Sequence, residues 1–421
     1  MLITIIISAI KIIFLLGFLI GIHETGHFLV AKLCKVKVNE FAIGFGPTIW
    51  KHQGKETKYA LRLIPLGGFV NMEGEEEPSE KEGSFSKAPI YKRIAIVLAG
   101  ATVNIIFAII VYFIIAASIG NNVSTIVDSC LDNYAAIQNG IKENDEILKI
   151  NNKTVRTIAD VNNLINKTKS EEINILIKRD NKKITINLVP TEVKYNSTGI
   201  YLYETSQKST KVAGLVEGGA AKEQGIQTGD EILSVNGEIV KENPEKLIEL
   251  LNNNEYSSFE IELSRHGKIE VLNIVPKEES AYYLGIVFKK DENNLKNNLY
   301  YAFFDTIDFL KAIFENIIQL FSGNVSTDQL MGPVGISEVV AKTNGIRDFI
   351  YTLALISLSL GVTNLIPFPP LDGGKILILI IEAIRKKPIK QETEVKIQLF
   401  GFAVLITLSI FITYNDILRI F

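Results

Sequence analysis

A polar motif inside an apolar segment is the feature that most constrains this chain. His23, Glu24 and His27 form an H-E-x-x-H motif, and residues 2–22 before it carry one charge, at Lys11. About 20 apolar residues are enough to cross a bilayer as a helix. Ionisable groups at membrane depth cost free energy and usually serve a function. The segment therefore predicts a membrane-spanning helix with a reactive site near its end.

The spacing of the motif indicates metal chemistry. On a helix, His23 and His27 leave the same face one turn apart and can bind one Zn²⁺, while Glu24 is placed to take a proton from an attacking water. A signal peptide is the alternative for the apolar segment. The segment has no basic n-region and no small-residue cleavage site, and cleavage would separate it from the motif. A zinc-dependent hydrolase is the interpretation favoured.

Composition agrees with a membrane protein that carries a large soluble part. The chain is 47% hydrophobic with a net charge of −3, which argues against a nucleic-acid partner. Further apolar runs predict spans over residues 94–119, 346–367 and 397–418. Residues 302–321 include four charged side chains among aromatics, so an amphipathic surface helix is favoured there over a fifth span.

Basic residues predict the orientation in the membrane. Lysine and arginine concentrate in residues 32–93 and 368–396, so both loops are expected in the cytoplasm. The middle region, about 121–343, then lies outside. Cys34 and Cys130 would fall on opposite sides of the membrane and could not pair with each other.

An internal repeat gives the plan of the middle region. Residues 135–151 match residues 220–236 at an offset of 85. Leu188-Val-Pro190 matches Ile274-Val-Pro276 at an offset of 86. Each copy has the pattern of two short helices and several alternating strands. The repeat predicts two α+β domains, at 121–204 and 205–290.

Both copies resemble the PDZ signature. Residues 229–237 read G-D-E-I-L-S-V-N-G, and residues 144–152 are a close variant. PDZ domains bind an extended peptide as an added strand, with backbone amides on its terminal carboxylate. Gly199-Ile200 and Gly285-Ile286 are candidates for those amides. The alternative, in which the glycines serve turns and the domains are spacers, remains open.

A catalytic zinc needs a third protein ligand, and three residues are candidates. His52 lies in a polar loop and His266 lies in the second repeat. Asp372 follows a proline-rich stretch and precedes two glycines, and broken backbone at membrane depth is tolerated where it lines a cavity. The first and third spans both run inward, which brings His27 and Asp372 toward one face. Asp372 is the better candidate, with a plain turn residue as the alternative.

Together these motifs resemble one family. The H-E-x-x-H in a first span, the N-x-x-P-x-x-x-L-D-G-G segment at 364–374 and the PDZ pair look like the site-2 protease family of intramembrane zinc metalloproteases, and most like the bacterial branch that cleaves membrane-spanning anti-sigma factors. The resemblance implies a multi-pass α-helical membrane protein with four transmembrane helices and two inserted α+β PDZ-like domains. It also implies a zinc metalloendopeptidase that hydrolyses peptide bonds within or near the transmembrane segments of single-span proteins. Clearance of remnant signal peptides is compatible with it.

The resemblance also implies roles for individual residues. His23, His27 and Asp372 would bind zinc, and Glu24 would activate water. A β-hairpin-like element at about 59–72 would present the substrate as a strand. The substrate-contacting positions implied are Gly67, Gly68, Phe69, Asn104, Asn364 and Pro367. Ala101 and Asn71 depart from the usual proline and lysine of the family, and neither is an expected zinc ligand.

The expected organisation runs along the whole chain and places the protein in the cell membrane. Its partners would be single-span substrates, peptide termini at the PDZ-like domains and the lipid bilayer, with the PDZ-like domains outside and the active site toward the cytoplasm. The segments are 1–31 (first span), 32–93 (cytoplasmic loop with a membrane-associated hairpin), 94–119 (second span), 121–204 and 205–290 (PDZ-like domains), 291–345 (amphipathic helices), 346–367 (third span), 368–396 (L-D-G-G segment and cytoplasmic loop) and 397–418 (fourth span).

Overall fold

The computed structural model divides the chain into two compact units. One comprises Met1–Ser118 with Asp305–Leu418, and the other comprises Ile119–Phe304 with Arg419–Phe421. The structure describes residues 2–75, 77–120, 122–202, 209–216, 218–252, 257–265, 267–322, 332–341, 343 and 345–420. His266 and the expected domain boundary between 204 and 205 lie outside these ranges.

The described helices and strands are numbered along the chain. The helices are α1 Leu2–Leu33, α2 Ile90–Ile119, α3 Ala135–Gln138, α4 Ile158–Thr168, α5 Ala220–Glu223, α6 Pro244–Leu251, α7 Leu295–Phe321, α8 Pro333–Ala341, α9 Gly345–Asn364, α10 Asp372–Arg385 and α11 Gln391–Ile420. The strands are β1 Val38–Gln53, β2 Lys58–Met72, β3 Val123–Cys130, β4 Glu146–Ile150, β5 Lys153–Thr154, β6 Ile173–Arg179, β7 Lys182–Leu188, β8 Thr191–Ser197, β9 Ile200–Leu202, β10 Val212–Leu215, β11 Glu231–Val235, β12 Glu238–Ile239, β13 Phe259–Arg265, β14 Lys268–Ile274, β15 Lys277–Tyr283 and β16 Ile286–Lys290.

Four of the described helices are long and apolar enough to cross a membrane. They are Ile6–Leu33 within α1, the whole of α2 and α9, and Gln391–Ile417 within α11. Each predicted span falls on one of them, and α7 is not among them. Lys11, the one charge of the first apolar run, donates from Nζ to the carbonyl oxygen of Thr343 at 2.8 Å. That bond satisfies an ammonium group that would otherwise be costly in an apolar helix.

Strands β1 and β2 form a curled antiparallel sheet against α1. Residues 38–43 pair with residues 68–72 on one side, and residues 40–43 pair with residues 58–61 on the other. Val38 and Val70 from the sheet pack in one core with Ala31 of α1. Segment 68–72 is therefore an edge strand, and the described strands offer no partner on its outer side. This sheet corresponds to the hairpin predicted at 59–72.

The second unit repeats the same elements at the spacing read from the sequence. Helix α5 follows α3 at an offset of 85 residues, as β11 follows β4, and β13 follows β6 at an offset of 86. In each copy the hydrophobic residues alternate along the strands and bury one face. The cores contain Ile173, Ile175 and Ile177 in the first copy, and Phe259, Ile261 and Leu263 in the second.

The last strand of each copy joins the sheet of the other. Strand β9 pairs with β10 of the second copy, and β16 pairs with β3 of the first. Ile200 and Leu202 accordingly pack on the second core, whereas Leu284, Ile286 and Phe288 pack on the first. The second domain is thus inserted within the first, and β8 and β15, which connect the two, pair with each other. The expected limits 121–204 and 205–290 differ from this arrangement, because a repeat does not indicate which sheet a terminal strand will join.

A buried ion pair recurs in both copies and accounts for the shared aspartate of the repeat. Asp145 is fully buried and accepts from Nε and Nη2 of Arg179, both at 2.7 Å. Asp230 binds Arg265 in the same way, at 2.9 and 2.7 Å. Burial would raise the pKa of Asp145, but the hydrogen bonds from Arg179 outweigh it and hold that pKa below its ordinary value.

Candidate metal centre

The two motif histidines converge on Asp372. They lie one turn apart on α1, and Asp372 is the first residue of α10. Its Oδ2 lies 3.2 Å from Nε2 of His23 and 3.4 Å from Nε2 of His27. The three ligand atoms all lie within 4.8 Å of one another, and in the described part of the chain no other group of three histidine, cysteine or acidic side chains does so. The structure thus brings together all three residues expected to bind the metal.

These residues fit a zinc ion. Oδ2 of Asp372 is buried and has no hydrogen-bond partner among the described residues. The side chains of His23 and His27 are only 10% and 11% exposed. Two imidazole nitrogens and a carboxylate oxygen form the three-ligand set typical of catalytic zinc, which leaves a fourth position for water or substrate. A cation between them would supply the partner that Oδ2 lacks.

Helix α2 orients His27. The ring Nδ1 of His27 lies 2.8 Å from the carbonyl oxygen of Ile96, to which it can only donate. A proton is therefore on Nδ1, which in the neutral ring leaves Nε2 as the atom that can bind a metal. An outer hydrogen bond of this kind is the usual support for a metal-binding histidine.

Asn104 supports His23 in the same manner. It is fully buried, and its amide lies 3.3 Å from Nδ1 of His23. Its Oδ1 has no partner among the described residues. The amide orientation that presents Oδ1 to a protonated Nδ1 satisfies both groups and leaves Nε2 free to bind a metal. The resemblance implies that Asn104 contacts substrate; in the structure Asn104 is completely buried and contacts His23.

Two glycines let the helices approach closely enough to build the site. A Cβ atom on Gly26 would lie 2.5 Å from the carbonyl oxygen of Ala99, so α1 and α2 touch backbone to backbone. A Cβ on Gly100 would lie 2.4 Å from Nε2 of His27 and 2.7 Å from Cε1 of His23. The imidazoles therefore rest directly on Gly100. Sequence reasoning assigned no role to Gly100, although the small pair Ala99-Gly100 was a visible signal.

The two glycines after Asp372 fix its position. A Cβ on Gly373 would lie 2.3 Å from the carbonyl oxygens of Leu365 and Ile366, and one on Gly374 would lie 2.6 Å from the nitrogen of Pro369. The start of α10 therefore packs directly on the non-helical segment that follows α9. This contact carries Asp372 to the histidines.

The edge strand of the β1–β2 sheet passes over Glu24. A Cβ on Gly68 would lie 3.1 Å from Cγ of Glu24 and 3.0 Å from the carbonyl oxygen of Ala42. Gly67 has a φ of +145°, and a Cβ there would meet the ring of Phe45. Gly67 therefore requires glycine, because its positive φ is strained for other residues, whereas a larger residue at Gly68 would have to displace Glu24 or the β1 backbone slightly.

The remaining predicted residues lie at different distances from the site. Asn364 places Nδ2 3.4 Å from Nε2 of His23, at the edge of the metal centre. Phe69 lines the catalytic cavity, whereas Pro367 is exposed and is not among the residues that line it. His52 is exposed on β1 and stacks on Trp50, so it does not reach the three ligands.

The ligands open on a cavity of about 280 Å³. Glu24 lines it beside His23, His27 and Asp372. Glu75 and Lys375 also line it, and their side chains contact each other. Sequence reasoning singled out neither of these two residues.

Comparison with known proteins identifies the family of this metal centre. Residues 11–408 match peptidase family M50. The chain belongs to the M50 peptidases, the site-2 protease family. Regulator of sigma E protease of Haemophilus influenzae is 31% identical, over 96% of this chain and 96% of its own. Regulator of sigma-W protease RasP of Bacillus subtilis is 30% identical, over 98% and 99% respectively.

As an M50 peptidase, the protein is a zinc metalloprotease. A further relative, from Vibrio cholerae, is 30% identical over 98% of both chains and is named "Putative zinc metalloprotease". Zinc is therefore the cofactor of the family, and the two nitrogen atoms and one oxygen atom of the His23, His27 and Asp372 cluster are ligands that zinc accepts.

Proposed function

We propose that this M50 peptidase hydrolyses peptide bonds within or near the transmembrane segments of single-span membrane proteins. The observation that carries the proposal is the convergence of His23, His27 and Asp372, next to Glu24, in a cavity built on apolar helices. His23, His27 and Asp372 are the zinc ligands in this proposal, and Glu24 is the catalytic base.

The position of the site on α1 supports cleavage at membrane depth. The metal-binding histidines lie inside the candidate span Ile6–Leu33, and Asn104, which positions His23, lies inside α2. A soluble metalloprotease anchored by one helix would keep these residues outside its apolar segment. The chain is proposed to cross the membrane four times, with the loops 32–93 and 368–396 in the cytoplasm.

In the proposed mechanism, zinc supplies a Lewis acid that polarises the scissile carbonyl and acidifies water. Glu24 takes one proton from the attacking water and passes it to the leaving amine. Ile96 and Asn104 hold the two imidazoles in the tautomer that leaves Nε2 unprotonated. Cleavage breaks the C–N bond and leaves a carboxylate on one fragment and an amine on the other.

The edge strand 68–72 is proposed to hold the substrate. Its outer side has no partner among the described strands, and Phe69 and Val70 line the catalytic cavity. An unwound substrate segment could add to this edge by backbone hydrogen bonds, which read few side chains. Gly68 lets the strand lie close to Glu24, and Gly67 lets it pack against Phe45. Asn364, which lies 3.4 Å from His23, and Pro367 are proposed to handle the unwound helix.

The substrates proposed are regulators that resemble anti-sigma factors, because two relatives are named "Regulator of sigma E protease" and "Regulator of sigma-W protease RasP". Remnant signal peptides are proposed as a second class of single-span substrate. The inserted domains, proposed to be PDZ-like and extracytoplasmic, would bind peptide termini.

Zinc-dependent cleavage of a panel of single-span type II membrane proteins in liposomes tests the proposal. Wild type should cut within the span, while Glu24→Gln and Asp372→Asn should fold and lose cleavage. Glu56→Gln is the matched control, since Glu56 is an exposed carboxylate paired with Lys32, and it should cut normally.

Two results would reject the assignment. One is a folded wild type that takes up no zinc, and the other is cutting that survives Glu24→Gln. In either case the protein would be better studied as a membrane-bound peptide-binding scaffold.

A further inference from the structure

Lys375 is the only lysine or arginine among the described residues that line the catalytic cavity. The cavity otherwise contains three carboxylates, those of Glu24, Glu75 and Asp372. Lys375 lies one helical turn after Asp372 on α10, so both side chains leave the same face of the helix. A fixed positive charge therefore stands next to the position where hydrolysis creates a new anion.

In the structure, Lys375 already binds a carboxylate. Its Nζ lies 2.5 Å from Oε1 of Glu75 and 5.0 Å from the ring centroid of Phe85. The two charged side chains are 21% and 20% exposed, so water reaches them but does not surround them. Glu75 shows that a carboxylate can approach Lys375 at this place.

The pair stands between the catalytic cavity and a second, larger cavity of about 600 Å³. Glu75, Lys375 and Ile378 line both cavities. The second cavity continues along α10 to Lys387, in the loop between α10 and α11 that is proposed to be cytoplasmic. A chain end that moves from the catalytic cavity into the second one therefore meets Lys375, which lines both.

Glu75 is positioned where the carboxylate of such a chain end can displace it from Lys375. Its backbone nitrogen bonds to the carbonyl oxygen of Met72, the last residue of the edge strand proposed to hold substrate. Glu75 therefore sits on a turn at the end of that strand, whereas Lys375 is held within a helix.

From this geometry we propose that Lys375 binds the carboxylate formed by hydrolysis, which replaces the Glu75 carboxylate as the partner of Lys375. The ligand is the C-terminal carboxylate of a peptide, and the fragment that carries it occupies the second cavity. For a substrate whose N-terminus is cytoplasmic, this is the fragment released to the cytoplasm. The inference rests on the proposed function only for the origin of the peptide.

Peptide binding tests the inference without turnover. The protein is the full-length Glu24→Gln variant in detergent, with its zinc removed, and the probe is a fluorescent Leu-Ala-Leu-Ala-Leu-Ala peptide with either a free carboxylate or a carboxamide end. We expect the free acid to bind about tenfold more tightly than the amide, as for a partly buried charge-assisted hydrogen bond. Lys375→Met should abolish this preference and Lys375→Arg should retain it. Glu75→Gln should increase it, because it frees the ammonium group.

Controls separate binding from structural support. Lys396→Met removes an exposed lysine of α11 that lines neither cavity, and it should keep the preference. Each variant is first shown to take up one zinc per chain. If Lys375 has only a structural role, Lys375→Met will weaken binding of the acid peptide and of the amide peptide by the same factor.

The inference is overturned if Lys375→Met keeps the acid preference, or if the preference exists only when zinc is bound. The proposed function fails independently, by absence of cleavage in liposomes. A protein that binds the acid through Lys375 but cuts nothing would reject the function and keep the site.

Discussion

Oδ2 of Asp372 lies 3.2 Å from Nε2 of His23, although the two residues belong to helices near opposite ends of the chain. Asp372→Asn replaces an anionic ligand by a neutral amide. We expect zinc affinity to fall by more than the roughly 10–100-fold that loss of an outer-shell partner costs. Zinc content after dialysis against a graded chelator checks this, with Asp348→Asn on α9 as the control. Retention of zinc by Asp372→Asn would remove Asp372 from the ligand set.

Gly100→Ala is expected to disrupt the metal centre by steric overlap, without removing a ligand. The added methyl would lie 2.4 Å from Nε2 of His27 and push both imidazoles off the ligand geometry. Gly21→Ala is the matched control, because a Cβ there meets only Ile43 at an ordinary 3.6 Å. Zinc stoichiometry should drop in Gly100→Ala and stay at one per chain in Gly21→Ala. Equal zinc binding by both variants would contradict the close packing of α2 on the site.

Asn104→Ala is expected to weaken zinc binding about 10–100-fold, because His23 loses the partner of its Nδ1. Asn104→Asp keeps an acceptor at that position and should retain more zinc. Competition with a chelator of known affinity should rank zinc affinity, from strongest to weakest, as wild type, Asn104→Asp and Asn104→Ala. If Asn104 serves substrate instead, both variants will hold zinc like wild type and only the KM will change.

Arg179→Met is expected to destabilise the first repeat domain by about 3–5 kcal/mol, because it leaves Asp145 buried without its partner. Lys178→Met, next to it, breaks only an exposed pair with Glu146 and should cost about 1 kcal/mol or less. Hydrogen exchange of the β4 and β6 amides in the full-length protein compares the two. Similar protection in both variants would show that the buried pair contributes little.

The ion pair between Asp145 and Arg179 also predicts that the stability of the first repeat domain depends on pH. The pKa of Asp145 is lower in the folded state than in the unfolded chain, so its contribution to stability is complete above the ordinary aspartate pKa, about 3.9. The contribution is lost as the pH falls through the lowered folded-state pKa. Exchange protection of β4 should decrease below about pH 4 in wild type. In Arg179→Met this step should be absent or reversed, which distinguishes the pair from general acid unfolding.

Local patterns in the sequence predicted much of this fold. Residues 2–22 are almost wholly apolar, with Lys11 as the one charge, which predicts a spanning helix, and α1 covers them. The alternation in residues 173–178 and 259–263 predicts strands with one buried face, and β6 and β13 have that pattern. The spacing of His23 and His27 placed both on one helical face, because an α-helix has 3.6 residues per turn.

Long-range pairing decided the rest. Nothing near Ile200 or Ile286 indicates that each strand joins the sheet of the other copy, because both edges accept the same backbone hydrogen bonds. Similarly, the sequence left Asp372 as one of three candidate ligands, and it did not show that Asn104 and Gly100 lie against the histidines. The sequence by itself determined the helices, the strands and the chemistry of the motif, because these depend on neighbours within a few residues. Only the tertiary structure decided which helices touch, since that depends on where small residues such as Gly26 and Gly100 let two backbones meet.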